Sequence, residues 1–145
     1  MGEDLENEYG TLLVQDNGNT IFYKNGFYTN NDPYGVAHPI TSVNAPSVVS
    51  VVHNHPRQGS IYADINLEYR YPSVDDWAAA DATVALGADP NVLTMTVIDP
   101  WGDARVFEYS DRNFYLNQGV SSRENGDSLP PKVPEDADLG ECVKL

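Results

Sequence analysis

The sequence predicts an α+β domain with mixed α/β layers: a largely antiparallel mixed sheet carrying at least one packed helix. Three observations predict it. The β-branched run Ser47-Val48-Val49-Ser50-Val51-Val52 lacks polar alternation and reads as a buried central strand. Residues 11–15 and 20–24 flank Asp16-Asn17-Gly18-Asn19, and residues 91–99 and 104–109 flank Pro100-Trp101-Gly102-Asp103, so two pairs of strands are joined by turn chemistry. Between the central run and the second pair, Pro72 and Ser73 precede the alanine-rich 74–86, and Gly87 follows it, which marks both ends of a helix.

In chain order, residues 2–8 form an acidic lead-in, and the first strand pair follows. Asn25-Gly26 offers another turn before a brief strand at 27–29, and residues 30–39 read as a proline-containing loop. His38 in that loop reads as a surface residue in preference to a ligand. Residues 57–71 carry Ile61, Tyr62, Ile65, Leu67, Tyr69 and Tyr71, too apolar for a solvated linker. They read either as packing against the core or as one wall of a substrate groove. Residues 112–116 add a short element. From residue 119 the composition turns to Ser, Gly, Asp, Glu and Pro, so residues 1–118 are expected to form the domain and 119–145 an extended or disordered tail.

The 145 residues suffice for one domain with a real core. Eight Lys and Arg against 22 Asp and Glu leave a formal net charge of −14. That charge repels nucleic-acid phosphates and anionic membrane surfaces, and suits a basic protein partner, bound cations or simple solubility. Cys142 is the one cysteine, so neither an internal disulfide nor a cysteine-based zinc site is possible. No signal peptide and no apolar run of transmembrane length is expected. The chain would then be cytoplasmic, or exported by a specialised system as part of a larger chain.

The chemistry concentrates at His53-Asn54-His55-Pro56 and Ser73-Val74-Asp75-Asp76. Alternate residues of an extended chain point to one side, so His53 and His55 share a face, and Pro56 ends the ladder. Two imidazoles at a strand end can grip a transition metal, and Asp76 is the best third ligand. Two histidines and a carboxylate leave one position open on tetrahedral zinc, the pattern of a catalytic site. Taken alone, S-x-x-D is an ordinary capping box, with Ser73 on the third amide and Asp76 back on the Ser73 amide. The order of the elements, a β-branched strand, H-x-H-P, then S-x-x-D, favours the metal.

H-x-H-P followed by S-x-x-D resembles the JAMM (JAB, MPN-plus) metalloprotease signature. Glu8-Tyr9-Gly10-Thr11-Leu12-Leu13 stands where that family carries its upstream general-base glutamate. The spacing from Glu8 to Gly10 is one residue shorter than the family's, and the stretch from Pro56 to Ser73 is longer. The resemblance runs from Glu8 to about Tyr109. The layout is also similar to the JAB-like C-terminal domains of Rhs-type polymorphic toxins. It implies the cytidine-deaminase-like sheet of JAMM proteins, Zn2+ on His53, His55 and Asp76, Glu8 as general base and Ser73 as oxyanion donor. Zinc there would lower the pKa of a bound water to about 7. The implied activity is hydrolysis of an amide or isopeptide bond in a protein or peptide substrate, in a toxin or effector setting with a possible immunity protein.

Two other classes stand beside it. One is a metal-free JAB-like binding module, which would lack one of the five roles; here each has a candidate residue. The other is a metal-dependent toxin of different chemistry, such as a nuclease or deaminase. His53-Asn54-His55 is not an HNH nuclease motif, whose residues are spread over a ββα unit. A nuclease needs a basic groove that 8 Lys and Arg can hardly build, and zinc deaminases need a Cys-x-x-Cys pair that is absent.

Overall fold

The computed structural model describes residues 8–16, 18–22, 28–29, 40–55 and 67–134. His38, Pro56, the 57–66 part of the expected groove or packing segment with Tyr62, the acidic lead-in and residues 135–145 with Cys142 lie outside the described residues.

The architecture is α+β, built on one mixed sheet. β1 (Tyr9–Asp16) pairs antiparallel with β2 (Asn19–Phe22), with the short β3 (Tyr28–Thr29) and with β4 (Val48–Asn54). β4 pairs parallel with β5 (Thr94–Ile98), which pairs antiparallel with β6 (Ala104–Glu108). The strand order is β2-β1-β4-β5-β6, with β3 beside β1. The β-branched run therefore lies at the centre, buried along most of its length. Ser50, the polar residue inside it, is satisfied by hydroxyl contacts to Thr94 at 2.8 Å and Thr96 at 2.9 Å.

Parallel pairing of β4 and β5 requires a crossover, which contains α1 (Val74–Ala85). Trp77, Ala80 and Thr83 form the buried face of α1, against a core that includes Leu12, Val51, Leu93, Met95 and Phe107. The helix ends as the sequence predicts: Leu86 N–H donates to Ala82, and Gly87 follows at φ +127°. A side chain there would be strained and would meet Pro46 Cγ at 3.1 Å. Among the described residues no helix is long and apolar enough to cross a membrane.

Residues 119–134 are not the extended tail that their composition suggests. A 3-10 turn (Tyr109–Asp111) leads to α2 (Arg112–Asn117) and then α3 (Val120–Glu124). The chain then returns over the body, and Leu129 packs against the core cluster. Asp127 C=O accepts from the buried Tyr71 hydroxyl and, at 2.8 Å, from Gln118 Nε2. Arg105 Nε donates to Pro130 C=O at 3.1 Å, and Val133 N–H donates to Ala104 C=O at 2.7 Å, covering part of the β6 edge. Gly126, at φ +72°, lies so close to the 3-10 turn Leu67–Arg70 that an added Cβ would sit 2.6 Å from Leu67 Cδ1. Composition misled here because Pro and Gly shape an irregular segment without making it solvated. The segment is held largely through its backbone carbonyls, which composition does not report.

Candidate metal centre

The site forms where β4 ends, β1 begins and α1 starts. Gly10 of β1 lies opposite His53 of β4. Directly opposed residues put their side chains on one face, and Gly10 has none to crowd the imidazole. The Asn54 side-chain oxygen accepts from Tyr9 N–H at 2.6 Å, tying the first residue of β1 to the last of β4. Glu8 is thereby held at the level of the histidines. His55 N–H continues the parallel ladder by donating to Ile98 C=O at 2.7 Å.

His53 Nε2 and His55 Nε2 lie 3.1 Å apart, and Asp76 Oδ2 lies 3.1 Å from the first and 3.2 Å from the second. The expected ligands thus converge as a nearly equilateral triangle of donor atoms. Tetrahedral zinc bonded at 2.0–2.1 Å separates its ligands by roughly 3.3–3.4 Å, so this triangle fits one face of such a site with little adjustment. Two imidazole nitrogens facing each other beside a carboxylate oxygen need a shared proton or a cation between them. The His53–His55–Asp76 cluster could therefore hold a metal ion.

The tautomer of His55 strengthens this fit. Its Nδ1 lies 2.6 Å from Tyr69 C=O, which can only accept, so Nδ1 carries the hydrogen. In a neutral imidazole Nε2 is then the bare nitrogen, and it is Nε2 that faces the cluster. Burial pulls the His55 pKa down, but Asp76, the Tyr69 carbonyl and Glu8 offset this and leave it raised. Burial likewise pushes the Asp76 carboxyl up, yet the two histidines overcome it and hold it well below the usual carboxylate range.

The capping box is also present, and the two roles do not compete. Ser73 N–H donates to Asp76 Oδ2 at 2.7 Å, and Asp76 N–H donates to Ser73 Oγ at 3.1 Å. The oxygen that caps α1 is the one that faces both histidines, so the cap orients the carboxylate toward the cluster. Ser73 accepts in this cap, and its hydroxyl hydrogen is still available to donate.

A cleft of about 280 Å³ opens beside the cluster, lined among others by Glu8, His55, Tyr69, Ser73, Asp76 and Tyr115. The structure thus brings all five expected site residues together: four line the cleft, and His53 stands behind them, 2 % exposed. Glu8 is 6 % exposed, and it acts electrostatically on His55.

Both Tyr69 and Tyr71, of the expected groove tyrosines, line the cleft, but Tyr69 is 45 % exposed whereas Tyr71 is 2 % exposed and belongs to the core that forms the cleft floor. Arg70 is taken up by packing. Its guanidinium lies 3.4 Å from Asp99 Oδ2 and 4.7 Å from the centre of the Trp101 ring. Asp99 itself is buried; its Oδ1 accepts from Trp101 N–H and Asp103 N–H, while Arg105 reaches Oδ2 at 3.2 Å. This ion-paired turn anchors the segment that presents the Tyr69 carbonyl to His55. Sequence reasoning missed it, although an Asp opening a Pro-Trp-Gly turn is a readable signal for the Oδ1 contacts.

The fold and cluster define an α+β protein with a His-His-Asp group able to hold a metal ion. The chain matches no protein-family profile, no curated protein and no solved structure.

Proposed function

We propose that this chain is a zinc-dependent hydrolase of amide or isopeptide bonds, of the JAMM metalloprotease type, acting on a protein or peptide substrate. The observation that carries the reading is the triangle of His53 Nε2, His55 Nε2 and Asp76 Oδ2 beside a cleft that Glu8 and Ser73 also line. When bound, zinc would polarise a substrate carbonyl and make water acidic enough to ionise near neutral pH. Glu8, buried and felt electrostatically by His55, would take a proton from water and return it to the leaving amine. The Ser73 hydroxyl donates to the developing oxyanion from the first turn of α1. Tyr69 C=O keeps the His55 hydrogen on Nδ1 and so keeps Nε2 available. The toxin or effector setting, with an immunity protein as partner, belongs to the same proposal and rests on the resemblance to Rhs-type domains.

The test is metal content of protein purified without chelators, together with cleavage of linear and isopeptide-linked peptides. One zinc per chain is expected, lost in His55→Ala and in Asp76→Asn; the asparagine can still accept from Ser73 N–H, so the helix cap survives. Glu8→Gln is expected to keep zinc while turnover falls by roughly 10²–10⁴-fold. Full zinc occupancy in both ligand variants would reject the assignment of the ligands. Zinc loss in Glu8→Gln would make Glu8 a ligand and not a base.

A further inference from the structure

The cleft has a second polar feature besides the metal cluster. Arg123, from α3, is the one Lys or Arg among the described residues that line it. Its Nε faces Glu68 Oε1 at 3.3 Å, without the alignment of a hydrogen bond, and its Nη1 donates to Gln118 C=O at 3.2 Å. Glu68 belongs to the 3-10 turn that also carries Tyr69 and lines the same cleft. The Arg123 side chain is 23 % exposed and that of Glu68 39 %, so the pair sits at the rim, where water or a ligand can reach it. A guanidinium has five N–H donors in a planar fork suited to carboxylates, and these two contacts use only part of it. Besides His55 of the metal cluster, the other titratable groups with charge that line the cleft, Glu8, Glu68 and Asp76, are carboxylic, so away from the cluster Arg123 is the group that can attract an anion.

We propose that Arg123 is a substrate-binding residue: it receives a carboxylate of the bound substrate, with Glu68 occupying that place until the substrate arrives. This rests on the proposed hydrolase reading and names its substrate class, a peptide bearing an acidic side chain or a C-terminal carboxylate close to the bond that is cut. Glu68 is then an internal competitor. It satisfies Arg123 in the free protein, and its misaligned contact is weaker than the paired fork an incoming carboxylate can make. The pair also gives the proposal a signature that structural packing lacks. Removing the receptor and removing the competitor must act in opposite directions on carboxylate binding.

The experiment is a nuclear magnetic resonance titration of the zinc-loaded protein, followed at the Trp77 and Tyr115 ring signals. The probes are N-acetyl-glutamate N-methylamide, its neutral isostere N-acetyl-glutamine N-methylamide, and N-acetyl-alanine, whose one carboxylate is C-terminal. The intact protein is expected to prefer a carboxylate probe over the neutral one by roughly 3–10-fold. Arg123→Gln should abolish the preference, Arg123→Lys should keep part of it, and Glu68→Gln should enlarge it several-fold. Arg123-dependent binding of either carboxylate supports the subsite, and the tighter of the two identifies its source. Repeating the titration on Asp76→Asn removes the metal cluster but not Arg123, so a failure of the hydrolase reading leaves this readout intact. A preference that survives Arg123→Gln would place the carboxylate on the metal cluster and overturn the proposal. So would equal, same-direction effects of the Arg123 and Glu68 variants.

Discussion

The two walls of the cleft are built by different means. The metal-side wall, from β4 and the first turn of α1, is made by side chains whose positions follow from local geometry: alternation along a strand and an S-x-x-D cap. The other wall, from α2, α3 and the return to Val133, consists of short helices that could not hold their shape alone. It is fastened by aromatic packing and by side chains that reach backbone carbonyls. Tyr115 stacks on Trp77 with ring centres 5.9 Å apart and meets Phe107 edge-on at 5.2 Å. A wall of the first kind is legible as a motif; a wall of the second kind depends on partners distant in sequence.

This difference can be broken or sharpened by experiment. The largest stability loss should come from Tyr71→Ala, at about 3–5 kcal/mol, because Tyr71 fills the core between the walls and its hydroxyl holds the 127 carbonyl. Denaturant unfolding measures it, and a loss under about 1 kcal/mol would show that the second wall is not fastened there. Truncation after residue 119 should follow, at about 2–4 kcal/mol. It removes Leu129 and the contacts of residues 127, 130 and 133 with Tyr71, Arg105 and Ala104. An unchanged melting temperature would return that segment to the status of a tail.

Zinc at a hundredfold excess over its dissociation constant should raise the stability of the intact protein by about 2.7 kcal/mol, and that of Asp76→Asn by nothing measurable. Equal stabilisation of both would place the ion elsewhere.

A smaller effect is expected where the walls join on the outer face of α1, at Asp81, Arg112 and Tyr109. The Arg112 guanidinium, helped by the Tyr109 hydroxyl, lowers the Asp81 pKa despite the cost of desolvation. A depressed carboxylate contributes stability that is full above its unfolded value of about 3.9 and disappears as pH falls through the folded value. Arg112→Gln should therefore flatten the acid side of the stability curve below about pH 4 and reduce stability at neutral pH by a small constant amount. A variant that kept the full acid slope would show that Arg112 has no hold on Asp81. The smallest effect should be that of Tyr69→Ala. Its side chain is exposed and only its backbone carbonyl meets His55, so stability should change by no more than about 0.5 kcal/mol.

Much of this protein was determined locally and could be read from the sequence alone. Although the pairing of β4 with its neighbours and the meeting of Asp76 with the histidines are long-range, the buried character of β4, both ends of α1, the shared face of His53 and His55, and the Ser73–Asp76 cap are local patterns of residues close along the chain. Their spacing carries the geometry. Tertiary structure alone decided the rest. It buried Tyr71 in the core and left Tyr69 exposed, though they stand two residues apart in one aromatic stretch, because a 3-10 turn rotates successive side chains toward different surroundings. It spent Arg70 on Asp99, joined Arg123 to Glu68, and folded residues 119–134 against the sheet. Those contacts link residues far apart in sequence, often through a backbone carbonyl that every residue type carries, so no pattern of side chains announces them.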